Sequence, residues 1–115
     1  MQIHVHARGL SPTHELLVHV HRRLAFELAR FAPRVRAVRV LLCDENGPRG
    51  GTDKRCRVDI ALVRRGRVFV EHLSGDVLAA VDHAARRGAR AVERIVKRRI
   101  ERRRGDPARD ARFPS

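Results

Sequence analysis

Aromatic side chains are scarce in this chain of 115 residues: it has neither Trp nor Tyr, and its four Phe stand at positions 26, 31, 69 and 113. Stacking platforms for single-stranded nucleic acid need aromatics on an open surface, so that mode of binding is poorly supplied. Cysteine is nearly absent as well. Cys43 and Cys56 are too few for a disulfide framework, which points to a reducing cytoplasmic setting. The two flank a loop and could face one another across a hairpin, but two small apolar strand residues are the simpler reading. No apolar stretch approaches the roughly 20 residues of a membrane span, and no signal-peptide h-region follows Met1. Acids are outnumbered, 13 Asp+Glu against 26 Lys+Arg, for a formal net charge of +13. Lysine is rarer still, at Lys54 and Lys97 only, so the positive charge is carried by arginine, the better fork for phosphate oxygens.

What the chain does have is a hydrophobic fraction of 43%, enough for one folded domain with a modest core and too much for a wholly disordered basic chain. Residues 2–8 alternate Ile3, Val5 and Ala7 with His4, His6 and Arg8, the period of a strand. After Gly9, Ser11 and Pro12 suit the cap and first turn of a helix. Leu17, Val20, Leu24, Leu28 and Phe31 then form its inner stripe, and Pro33 stops it. Outside lie Glu15, His19, Arg22, Arg23 and Arg30. Residues 35–43 and 54–63 read as strands with one apolar face each. Between them, residues 44–53 form a polar, glycine-rich loop with Arg49 at its tip. Arg64-Arg65-Gly66 turns the chain into a fourth strand over residues 67–73.

A long helix over residues 76–104 completes the pattern, opened by Asp76. Its inner stripe reads Leu78, Val81, Ala85, Gly88, Val92 and Ile95. The small residues in the middle predict close packing on a neighbouring helix, which would offset the roughly 1 kcal/mol that Gly88 costs relative to Ala. Arg86, Arg87, Arg90, Arg94, Lys97 and Arg98 occupy the rest of this helix, and Arg87, Arg90, Arg94 and Arg98 step by three or four residues along one face. Like charges at that spacing repel, and a polyanion relieves them. Nucleic-acid phosphate is the expected partner of a stripe this long.

The order β-α-β-β-β-α predicts an α+β fold: a two-layer sandwich with a four-stranded mixed sheet and both helices on one face. Residues 1–104 form the domain, and residues 105–115, rich in Pro, Arg and Asp, are expected to be a disordered tail. The glycine-rich loop lacks Walker spacing and leads into a strand, so it does not read as a nucleotide cradle. Seven histidines show no metal-ligand spacing with the cysteines, so no metal or other cofactor is expected. Asp76 and Asp82 do not face one another, and Ser11 and Ser74 sit at helix starts. No catalytic set emerges, and the expectation is a non-enzymatic protein.

With those elements in place the chain resembles the ribosome hibernation-promoting factor and ribosome-associated inhibitor family, also called the sigma-54 modulation protein family. The resemblance rests on Met1-Gln2-Ile3, the first helix from Pro12 to Phe31, the strand count, and above all Gly75-Asp76-Val77-Leu78-Ala79-Ala80-Val81-Asp82. That stretch is similar to the family's Ala-Ala-Ile-Asp helix opening, with basic residues following at helical steps. The segment from Asn46 to Gly51, then Asp53, Lys54 and Cys56, resembles a loop found in a subset of members. The resemblance implies a protein that docks in the small ribosomal subunit, where messenger RNA and the anticodon ends of transfer RNAs sit, and so blocks translation in resting cells. By position, Arg23, Arg87, Arg90, Arg94 and Arg98 match the family's basic residues and would contact ribosomal RNA. The likeness is to short members, without the second domain that lets long ones pair ribosomes. Gly88 departs from the large apolar residue usual in the family. Two other readings stay open: a general RNA- or DNA-binding module, and a regulatory domain that binds proteins rather than the ribosome.

Overall fold

A computed structural model describes residues 1–45 and 53–105. The elements are β1 (Gln2–Arg8), α1 (His14–Leu28), a 3-10 turn (Ala29–Arg34), β2 (Val35–Asp44), β3 (Lys54–Leu62), β4 (Arg67–Ser74) and α2 (Val77–Gly105). The strands lie side by side in chain order. β1 runs parallel to β2, while the β2–β3 and β3–β4 pairs are antiparallel. This is the expected mixed sheet.

Register explains why one face is covered. Ile3, Val38, Ile60 and Val68 align across the four strands, as do Val5, Val40, Val58 and Val70. These rows are built largely of β-branched side chains, which suit a pleated surface. They merge with Val20, Leu24 and Leu28 of α1 and Val81, Ala85 and Val92 of α2 in a single core. The alternate rows, among them His4–Arg39–Asp59–Phe69, occupy the uncovered face. Cys43 and Cys56 follow the same alternation: Cys56 is opposite Leu42, Cys43 opposite Arg55, so they point to different faces and both are free thiols. Burial pushes the Cys56 thiol up to about 12, which leaves it a small apolar core residue.

On α1 three local expectations change. The cap of α1 is Thr13, whose hydroxyl accepts the Leu16 N–H at 3.2 Å, rather than Ser11. Thr13 is extended and stands three residues before the first buried leucine, Leu16, so the stripe is Leu16, Val20, Leu24 and Leu28, with Leu17 only half-buried. The α-helix ends at Leu28, and the chain tightens into the 3-10 turn that contains Pro33 and buries Phe31. Pro33 has no N–H and disfavours helical backbone at Ala32, so the α form cannot continue into it.

On α2, Asp76 does serve as the cap: its carboxylate accepts the Leu78 N–H at 3.3 Å and its carbonyl the Ala80 N–H at 3.0 Å. Leu78, however, is 41% exposed and Ile95 half-buried, while Ala80, Ala84, Ala89 and Val96 are buried. The inner surface is wider than one stripe because α2 faces both the sheet and α1. Gly88 makes its close approach to the sheet, not to a helix. A Cβ there would stand 3.0 Å from the Ile60 Cδ1 and 3.6 Å from the Val70 Cγ2.

Candidate nucleic-acid interface

α2 presents its charge outward because its other sides are occupied. Arg86, Arg87, Arg90, Arg94, Lys97 and Arg98 are all exposed, and of the four acids at residues 76–104, Asp76, Asp82, Glu93 and Glu101, the first three are committed elsewhere. Asp82 accepts from His19 Nε2 of α1 at 2.7 Å and lies 3.8 Å from Arg23 Nε. Glu93 pairs with Lys97 at 2.9 Å, and that ammonium holds its carboxyl below the usual range. Asp76 caps the helix. Arg86, Arg90, Arg94 and Arg98 have no ion-pair or hydrogen-bond partner among the described residues. Their guanidinium forks are therefore open to phosphate oxygens along more than three helical turns.

The remaining expected residues fall into different situations. Arg87 donates to the Glu71 carbonyl at 2.7 Å, which fastens it over the edge of β4 with other donors to spare. Beside it, His72 and His83 stack with centroids 4.6 Å apart. Burial, then His83 and Arg87, lower the His72 pKa from its ordinary value. Lys97 is half of the pair with Glu93. Arg22 is exposed on α1. Arg23 is not a free cation: it bridges Glu27 at 3.4 Å and Asp82 at 3.8 Å, with its guanidinium 5.8 Å from the Phe26 ring centre. It fastens α1 to α2. Arg49 lies outside the described residues, as do residues 46–52 as a whole.

Sequence periodicity missed two features. Arg34, Arg64, Arg65 and Arg99, distant in the chain, gather around one cleft with Arg102 and Arg103; the signal was the Arg64-Arg65-Gly66 turn, but its destination depends on packing. Phe26 and Phe69 are 73% and 60% exposed, one on α1 and one on the uncovered sheet face, so aromatic contact is not wholly missing. No group of three or more His, Cys, Asp or Glu among the described residues is placed to hold a metal ion.

A model of the family described as "Sigma 54 modulation protein / S30EA ribosomal protein" matches residues 3–101. The chain belongs to that family. Membership makes it a ribosome-associated protein of the hibernation-factor kind, non-enzymatic, and implies a cytoplasmic location. Among the described residues no helix is long and apolar enough to cross a membrane. Among solved structures, the chain is similar to the N-terminal domain of Protein Y from Thermus thermophilus, at 23% identity and a TM-score of 0.64, covering 82% of this chain and 94% of that one. It is also similar to a ribosomal subunit interface protein from Coxiella burnetii, at 12% identity and a TM-score of 0.71, covering 84% and 99%. At these identities the likeness is one of fold. No curated protein sequence matches. Within the family's frame, α2 combines a Gly88 packed directly on the sheet with an arginine face left uncompensated on the outside.

Proposed function

We propose that residues 1–104 act as one domain that binds the small ribosomal subunit through the outward face of α2, contacts ribosomal RNA phosphates with Arg86, Arg90, Arg94 and Arg98, and sterically blocks the channel used by messenger and transfer RNA. The observation that carries this reading is the row of exposed arginines without acidic partners among the described residues. Family membership supports it, as does the name of the Coxiella relative, a ribosomal subunit interface protein. Arg22, exposed on α1, would add charge, as would Arg87 and Lys97, which are tethered to Glu71 and Glu93.

Phosphate contact makes binding salt-dependent by counterion release. Four neutralised phosphates give a log–log slope against salt of roughly −3 to −4. Co-sedimentation with separated subunits across a salt series tests both partner and mode. Saturation near one copy per small subunit, lost in Arg90→Glu/Arg94→Glu, is the expected result. Equal binding to any RNA duplex, with no plateau on ribosomes, would replace this reading with a general nucleic-acid module. Full retention of function in that variant would point instead to a protein-binding regulatory domain.

A further inference from the structure

At the C-terminal end of α2, Arg34, Arg64, Arg65, Arg99, Arg102 and Arg103 surround one cleft of about 540 Å³, in which Ile100 is the apolar wall. Three separate segments build it. The Val63 N–H donates to the Arg34 carbonyl at 2.8 Å, which fastens the end of the 3-10 turn to the end of β3. The Leu62 N–H donates to the Gly66 carbonyl at 3.1 Å and closes the β3–β4 turn. Gly66 has φ +125°, and a Cβ there would lie 2.8 Å from Arg99 Nη2 and 3.2 Å from Leu62 Cδ1. The glycine therefore serves twice: it turns the chain and lets the Arg99 guanidinium lie against that turn.

Among the described residues no acid lines this cleft. Glu101 is exposed and points away, since two residues along a helix turn by about 200°. The negative end of the helix dipole favours cations in the last turn, and that accounts for Arg102 and Arg103. It does not account for Arg34, Arg64 and Arg65, which arrive from other segments and converge on the same space against their mutual repulsion. The arrangement also differs from the stripe on α2: the stripe is linear, whereas these forks converge. A linear track suits charges spaced along a backbone, and a convergent cluster suits several charges on adjacent atoms. The volume is that of a small-molecule site.

We infer that the cleft is an oligophosphate site, taking a chain of directly linked phosphates such as inorganic polyphosphate or the 5′-polyphosphate of a nucleotide. The inference does not depend on the ribosome reading. Calorimetric titration of the full chain at physiological ionic strength tests it, with inorganic tripolyphosphate as the probe and orthophosphate as the comparison. One-to-one saturation is expected, with tripolyphosphate bound at least tenfold more tightly than orthophosphate. Arg64→Ser/Arg65→Ser should weaken the probe at least tenfold. Both positions are exposed turn residues, so the fold should persist, as circular dichroism would check. Arg90→Ser/Arg94→Ser removes the same charge from the stripe and should weaken it less than twofold. Equal losses in the two variants, or binding that does not saturate, would reduce the effect to net charge and overturn the site. A short RNA strand weakened by the turn variant, with no tripolyphosphate bound, would overturn it too and make the cleft an extension of the backbone track.

Discussion

α1 and α2 both carry arginine, yet only one of them offers it. On α1, Arg23 is enclosed between Glu27, Asp82 and Phe26, so its charge is used inside the protein to hold two helices together. On α2, Arg86, Arg90, Arg94 and Arg98 stand exposed without such partners among the described residues. A net charge counts these groups alike; only the positions of the acids separate a structural cation from an available one. Asp82 shows this most directly. It sits on α2 but is claimed by α1, through His19 as well as Arg23, so it both joins the helices and leaves the outer face of α2 uncompensated.

The largest effect should come from reversing the available charge. Arg90→Glu/Arg94→Glu should weaken ribosome binding about a hundredfold or more, since each lost charge-assisted contact is worth roughly 1.5–3 kcal/mol, while the thermal midpoint stays or rises as repulsion along α2 is relieved. Equilibrium binding and calorimetric melting on the same variant separate the two. Next comes the buried side of the same helix. Gly88→Leu should cost about 1–3 kcal/mol of stability by overpacking against Ile60 and Val70, read from the denaturation midpoint. Gly88→Ala sets a smaller clash with Ile60 against a helix-propensity gain of about 1 kcal/mol.

The comparison is sharpened by the reverse case on α1. Arg23→Ala should lower stability by about 0.5–1 kcal/mol, the range for a partly exposed ion pair, and change ribosome affinity less than threefold. A large affinity loss with unchanged stability would put Arg23 among the available charges after all. The smallest effect expected is pH-dependent. His72 has a folded pKa below its unfolded value, so its neutral form is favoured in the native state. Its contribution is intact above the unfolded pKa of about 6.5 and is lost as pH falls from there through the folded value, because the unfolded chain takes up the proton first. Melting profiles from pH 7.5 downward should show this decline, and His72→Gln should flatten it.

Much of the fold was legible because it depends on local periodicity. Alternation in residues 2–8 and 54–62 and the four-residue steps of α1 placed the elements, and the Asp76 cap followed from its position before an apolar run. Thr13 in place of Ser11 was not legible, since either hydroxyl can cap and burial of Leu16 decides between them. The exposure of Leu78 and the contact of Gly88 with Ile60 rest on how α2 is shared between sheet and α1. Spacing gave Arg87, Arg90, Arg94 and Arg98 as one row on α2, but it could not show that Arg87 is tethered to the Glu71 carbonyl. The different status of Arg23 was not legible either, because Asp82 lies 59 residues away in the chain.

Sequence alone determined the elements, their order and the excess of arginine, because period, capping chemistry and net charge are properties of neighbours along the chain. Tertiary structure alone decided which arginines remain available and which converge. Pairing with an acid, packing on a turn and access to solvent depend on groups brought together through space, and at those distances a few ångströms separate a neutralised charge from one free to bind.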